Sequence, residues 1–179
     1  MRYVVADSSA LSGAARSHLW DLWQAAFDGR RGFSRDDEEH AYGGIHVLGL
    51  DEGTVIAHAA VVPRELWVGE RPLRTGYVEG VAVRPDRQGH GLGRPLMTLL
   101  EVELTARYEL GALSTGRARG FYERLGWEGW RGPSYVLGET GRVRTPDDDD
   151  SLMVLRFGPS ASVDLGESIT CRDRTGDPW

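Results

Sequence analysis

Six residues, Gln88-Gly89-His90-Gly91-Leu92-Gly93, restrict what this chain can fold into more than any other stretch. They follow a strand-like run, Thr75–Val83 (TGYVEGVAV). They precede an amphipathic segment, from about Gly91 to Tyr108, that puts Leu96, Leu99, Leu100 and Leu104 on one helical face. A strand, a glycine-rich loop and a helix in that order make an anion site. The first helical turn offers unpaired N–H groups and a partial positive charge. Glycines let the backbone approach phosphate oxygens without a Cβ in the way. Gly89, Gly91 and Gly93 supply that freedom, and Arg87 and Gln88 add side-chain donors. The loop is not G-x-G-x-x-G and lacks a G-K-[ST] ending, which argues against a dinucleotide fold and against phosphate hydrolysis. His90 reads as part of this loop rather than as a base.

The rest of the chain mixes strands and helices. Met1–Ala6 reads as a strand, and Ser8 or Ser9 as the cap of a helix running to about Phe27, with Leu11, Ala15, Leu19, Leu22, Trp23 and Phe27 on its apolar face. Asp28–Gly32 is a loop. Ser34 caps a short helix with Asp37 three residues on, close to a capping box, and Gly43-Gly44 ends it. Ile45–Leu50 and Thr54–Val62 flank the hairpin turn Asp51-Glu52-Gly53, and Glu65–Val68 and Thr75–Val83 flank another near Gly69–Pro72. Gly80, inside a strand, predicts a bulge or a close backbone approach. Leu110–Leu113 is a strand, Arg117–Leu125 a short helix closed by Gly126, and Ser134–Leu137 and Leu152–Phe157 are later strands. With 179 residues and neither repeat nor linker, the expectation is one domain over residues 1–179, of α/β (α+β) class with a mixed sheet.

Charge and composition narrow the function. A net charge of −6 disfavours a nucleic-acid partner. No apolar run approaches the roughly 20 residues that span a bilayer, and Asp7, Ser8 and Ser9 interrupt any leader, so a cytoplasmic protein with no membrane association is expected. Cys171 is the single cysteine, which excludes an internal disulfide and a thiolate metal cluster and reads as a small buried apolar group. His18, His40, His46 and His58 lack metal-ligand spacing, so no metal is expected, and His58 reads as a core or wall residue. Two acidic runs, Asp36–Glu39 and Asp147–Asp150, are either solvated surface or walls for a cationic ligand.

The loop, the Gly80-Val81-Ala82-Val83 strand before it, and the downstream Phe121-Tyr122-Glu123-Arg124-Leu125-Gly126-Trp127 segment together resemble the GNAT acetyltransferase superfamily. The resemblance implies a single-domain acyl-CoA N-acyltransferase fold, with a mixed, mostly antiparallel sheet and flanking helices. It implies acetyl-CoA as cofactor, with its pyrophosphate on the amides of Gln88, Gly89, His90, Gly91, Leu92, Gly93 and Arg94, and its pantetheine arm along Val81, Ala82 and Val83. Amine acetylation needs a base for the acceptor, a donor for the oxyanion and an acid for the thiolate. Glu79 is the candidate base, directly or through water, or else the partner of a buried Arg. The Val81 N–H is the candidate oxyanion donor. Tyr122 matches the family's acid, or is a packed aromatic.

A second resemblance, to the aminoglycoside 2′-N-acetyltransferases, covers nearly the whole chain. It rests on Gly43–His46, Ile56–Val61, Gly76–Val83, Leu110–Ser114, Arg144–Asp149 and the terminal Gly176-Asp177-Pro178-Trp179. It implies a cationic amino-sugar substrate held by Glu79, Gly80, Ser114, Asp147, Asp148, Asp177 and the carboxylate of Trp179, with Asp37 as a further contact. Charge-assisted hydrogen bonds from ammonium groups to carboxylates give that pocket its physical sense. Where family members carry Gly-Asp-Phe, this chain has Gly29-Arg30-Arg31-Gly32-Phe33, and their Cys-Asp-aromatic-Arg is here Cys171-Arg172-Asp173-Arg174, so the substrate range can differ. A GNAT enzyme for a polyamine or a protein N-terminus, and a coenzyme A sensor without turnover, stay open at this level. A homodimer, common in the superfamily, is a further expectation.

Overall fold

The structure, a computed structural model, describes Met1–Phe27 and Gly32–Trp179, so the loop expected over Asp28–Gly32 and the Gly29–Phe33 insertion lie largely outside the described residues. The contacts of the chain gather into two compact units, Met1–Val62 with Val78–Ala106, and Pro63–Tyr77 with Arg107–Trp179. The strands β3 (Thr54–Val68) and β4 (Arg71–Val83) run through both.

In the first unit, β1 (Arg2–Asp7) pairs antiparallel with β2 (Ile45–Asp51), which pairs antiparallel with the first half of β3, Ile45 opposite Val61. Val55–Val62 is buried without interruption, as in a strand covered on both faces. The helix α1 spans Gly13–Ala26. It is capped by Ser12, whose side chain accepts from Ala15 N, and not by Ser8 or Ser9 as the sequence suggested. Those serines form a short 3₁₀ turn, and Ser8 turns inward, where its Oγ accepts from the Gly43 and Gly44 amides at 2.9 and 3.1 Å. Leu19, Leu22 and Trp23 of α1 pack with Leu11, Ala41, Leu48, Val55 and Ala82, and Phe33 stacks on Trp23 at 4.8 Å. The helix α2 (Arg35–Ala41) begins at Ser34 with a complete capping box, Asp37 receiving the Ser34 amide at 2.8 Å. The helix α3 (Gly93–Arg107) buries Leu96, Met97, Leu100 and Leu104, spaced to form one stripe.

In the second unit, the first half of β4 runs parallel to β5 (Leu110–Ser114), Thr75 opposite Leu110. Antiparallel neighbours continue from β5 to β9 (Leu152–Arg156) and on to β6 (Glu128–Gly129). On the other side, the end of β3 pairs antiparallel with β10 (Ile169–Arg172). From β10 the order runs to parallel β7 (Ser134–Gly138), then to antiparallel β8 (Gly141–Arg144). The helix α4 (Arg119–Glu123) is a single turn. The fold is thus α/β, with mostly antiparallel pairing and, among the described residues, parallel pairing of β4 with β5 and of β7 with β10. One sequence expectation is corrected: Val62 and Glu65 lie in one continuous strand, because Pro63 is exposed there and the ladder tolerates its missing N–H.

Candidate active site

The glycine-rich loop lies in the first unit, between β4 and α3. Gly89 and Gly91 both stand at φ +78°, a left-handed conformation that side chains resist. A Cβ built on either would meet nothing within 4 Å, so the backbone is open on that side. The loop is held at both ends. Arg87 pairs with Asp51 at 3.0 Å, and Tyr3 donates its hydroxyl to Leu92 O at 2.9 Å. Inside the loop, Gln88 Nε2 donates to Val83 O at 3.0 Å, and His90 Nδ1 lies 2.9 Å from Gln88 O. That contact places His90 as a local loop constraint. Gln88, Gly89, His90, Gly91 and Arg94 are exposed, and Leu92 and Gly93 half-buried. A loop anchored at both ends, largely exposed and at the N-terminus of a fifteen-residue helix, is suited to a phosphate group.

Upstream, β4 departs from regular geometry where the sequence suggested. Gly80 is at φ +57°, and a Cβ there would lie 2.9 Å from Trp23 Nε1. Its carbonyl faces inward and accepts from Trp23 Nε1 at 3.0 Å. His58 Nδ1 approaches the same oxygen at 2.7 Å. Glu79, before it, is half-buried, as are Val81 and Val83, while Ala82 is buried in the core. His58 is a core residue, as its alternating position implied. Trp23 and His58 are contributors that the sequence alone did not mark; the signal was Gly80 itself.

The acidic residues gather in the second unit. Asp147 and Asp148 sit in a 3₁₀ turn, Pro146–Asp148. The Asp148 carboxyl is held above the usual range, first by burial and then by the charge of Asp177. Asp177 Oδ1 accepts the Trp179 amide at 3.0 Å, and the buried Trp179 indole donates to Thr145 Oγ1 at 3.1 Å. The segment before Trp179 is fastened through Pro178, whose carbonyl takes Arg64 Nη1 at 2.8 Å and Cys171 Sγ at 3.3 Å. Ser114 Oγ donates to Ser151 Oγ at 2.9 Å, and Ser151 in turn bonds the Asp148 carbonyl through N and Oγ. Asp147, Asp148, Asp177, Trp179 and Ser114 therefore share one neighbourhood, with Thr145 as a member that the sequence did not single out. Asp149 is a structural anchor, binding Arg144 and both the amide and hydroxyl of Ser134. Arg174, which could have opposed a cation, donates Nε to Asp177 O at 2.8 Å and lies over Tyr77. Asp37 lies in the first unit, where its carboxylate caps α2.

Tyr122, on α4, is buried beside Phe121 and Trp127. Burial pushes its phenol well above the usual value, so it stays protonated at neutral pH. Burial also pushes the Cys171 thiol up to about 11, which makes it a poor nucleophile. Among the described residues no group of three or more His, Cys, Asp or Glu side chains gathers as for a metal ion. No helix of the described residues is long and apolar enough to cross a membrane.

The acetyltransferase (GNAT) domain model matches residues 11–129. An aminoglycoside 2′-N-acetyltransferase from Mycolicibacterium fortuitum is 48% identical over 176 residues, covering 97% of this chain and 87% of that protein. A GNAT family N-acetyltransferase from Escherichia coli, solved in complex with CoA, superposes with a TM-score of 0.68 at 18% identity, over 98% of this chain and 94% of that one. A GNAT family acetyltransferase from Brucella melitensis, solved with acetyl-CoA, gives a TM-score of 0.61 at 18% identity, over 89% and 90%.

Proposed function

The chain belongs to the GNAT acetyltransferase family, and from that premise we propose that it transfers the acetyl group of acetyl-CoA to the 2′-amine of an aminoglycoside. The observation that carries the acceptor class is the Asp148–Asp177 pair. Asp148 is partly buried and held above the usual carboxyl range, first by burial and then by the negative charge of Asp177, so a cation brought to this neighbourhood is favoured. An ammonium-bearing sugar supplies that cation and forms charge-assisted hydrogen bonds of about 1.5–3 kcal/mol each. The relative from Mycolicibacterium fortuitum, nearly half identical over almost the whole chain, supports the same acceptor.

Acetyl-CoA supplies the thioester whose carbonyl carbon the amine attacks. The open amides of Gln88–Arg94 fit its pyrophosphate, since both glycines present bare backbone. Val81–Val83 is assigned to the pantetheine arm. In the reaction a C–N bond forms and the C–S bond breaks. Glu79, through water, takes the proton of the acceptor amine. The Val81 N–H donates to the developing oxyanion, and Tyr122 gives its proton to the departing thiolate. The roles of Glu79 and Tyr122 rest on the family resemblance, and the high phenol pKa of Tyr122 is consistent with an acid. Ser114, Asp147, Asp148, Asp177 and Trp179 are assigned to the acceptor, with Gly80 at the reacting amine. Asp37, whose carboxylate caps α2, is assigned to the acceptor as a further contact.

Thiol release from acetyl-CoA tests this with a panel of acceptors. Aminoglycosides with a 2′-amine are expected to turn over, and analogues with a 2′-hydroxyl, polyamines and peptides are not. Turnover confined to polyamines or peptides would overturn the acceptor assignment.

A further inference from the structure

Beneath Gly80 the first unit holds a chain of buried polar groups that the reaction as described does not use. Ser8 Oγ lies 2.7 Å from His46 Nε2. His46 Nδ1 lies 2.9 Å from His58 Nε2, and His58 Nδ1 lies 2.7 Å from Gly80 O. Both imidazoles are 0% exposed. They sit on neighbouring antiparallel strands, His46 opposite Ala60 and His58 opposite Leu48, so the rings meet diagonally on one sheet face.

The direction of the chain follows from its end. A carbonyl oxygen only accepts, so His58 Nδ1 carries the proton. A neutral His58 then accepts at Nε2, which makes His46 Nδ1 a donor. A neutral His46 accepts at Nε2, so the single Ser8 hydroxyl proton goes to it at 2.7 Å rather than to Gly44 O, which lies 3.0 Å from the same Oγ and already accepts the Ser8 amide. Ser8 Oγ remains free to accept, and the Gly43 and Gly44 amides fill that role. The opposite direction would aim two lone pairs at each other across 2.7 Å. Neutrality has physical causes. Burial draws His46 down to about 4 and His58 down to about 3. Arg16 on α1, which donates to Ser8 O, opposes a charge on His46, and Asp7 on β1 favours one only weakly. Tyr42 packs on His46 and passes its hydroxyl to Glu38.

The chain acts on the peptide between Gly80 and Val81. Every described peptide bond is trans, so the Val81 N–H points opposite to the Gly80 carbonyl. Two donors, Trp23 Nε1–H and His58 Nδ1–H, hold that carbonyl inward. They therefore fix where the N–H is aimed, and by polarising the amide they make it a stronger donor.

We propose that Ser8, His46 and His58 are positioning residues that, with Trp23, lock the Gly80–Val81 peptide so that the Val81 N–H polarises the thioester carbonyl. This rests on the acetyl-transfer reading, but not on the identity of the acceptor. The test uses isotope-edited infrared spectra of carbonyl-labelled acetyl-CoA bound to the full chain without acceptor, together with imidazole nitrogen NMR of the unaltered protein. The bound carbonyl stretch is expected to move to lower frequency than in solution. His58→Asn, whose amide nitrogen can take the place of Nδ1, is expected to keep that shift. His58→Leu is expected to lose it, with kcat down on the order of 10-fold and the acetyl-CoA KM within about twofold. NMR is expected to show both histidines neutral with the proton on Nδ1 from pH 8 down to pH 5. An equal carbonyl shift in His58→Leu and the unaltered protein would overturn the proposal. So would either histidine charged, or protonated on Nε2, at neutral pH, a result that stands even if His58→Leu does not fold. A shifted carbonyl without aminoglycoside turnover would support this inference and contradict only the acceptor assignment.

Discussion

At the scale of single residues, Gly80 and the Asp148–Asp177 pair decide the most. Gly80 combines a left-handed backbone with a side-chain position already filled by Trp23. Gly80→Ala therefore carries two costs, about 1–2 kcal/mol for the backbone and about 1–3 kcal/mol for overpacking. Thermal unfolding should show a clearly lowered midpoint, and the surviving enzyme should turn over more slowly. Asp148→Asn or Asp177→Asn should raise the aminoglycoside KM by about 10- to 100-fold, the loss of one charge-assisted bond. The acetyl-CoA KM should stay where it was, which steady-state kinetics with each substrate varied in turn will check. Because Asp148 is held above the usual carboxyl range, it loses its charge at a higher pH than an ordinary aspartate. The acceptor KM should accordingly rise as pH falls, and Asp148→Asn should flatten that rise.

At the scale of elements, the loop before α3 and the β2–β3 face carry separate predictions. Gly89→Ala together with Gly91→Ala forces side chains into a conformation at φ +78° that costs about 1–2 kcal/mol per residue. Calorimetric titration should find weaker coenzyme A binding, with acceptor binding unchanged. His46 and His58 are both lowered from 6.5, so the unfolded chain binds more protons between that value and about 4. Their contribution to stability is complete above about pH 6.5 and is lost as pH falls toward the folded values, by about 1.4 kcal/mol per pH unit for each histidine. Denaturant titrations at pH 7.5 and 5 should show the lower stability at pH 5, and a pH-independent midpoint would contradict the buried pair. The loop, α3 and the close backbone approach at Gly80 were readable in the sequence because glycine freedom and helical periodicity are local. Ser8 was not, because its partners Gly43, Gly44 and His46 are distant in the chain. The strands β6, β8 and β10 were missed for a similar reason. β6 has two residues, β8 is largely exposed without apolar alternation, and β10 is ordered by its neighbours β3 and β7.

At the scale of the whole molecule, each unit holds its own group of the proposed residues. The first holds the glycine loop, Glu79 and the braced Gly80–Val81 peptide, and the second holds Tyr122 and the acidic neighbourhood of Trp179. The glycine-rich anion loop was open to sequence reasoning, and its coenzyme A contacts were carried by resemblance. On the acceptor side the residues were carried by resemblance, and their convergence emerged only from folding. Asp148, Asp177 and Trp179 come together through the Trp179–Thr145 and Asp177–Trp179 hydrogen bonds, which no local pattern encodes. The proposed reaction acetylates one particular amine. The most direct measurement is the structure, by mass and NMR, of the product formed from acetyl-CoA and a 2′-amino aminoglycoside. A single acetyl group on the 2′-nitrogen is expected. An unmodified sugar, or an acetyl group on any other nitrogen, would contradict it.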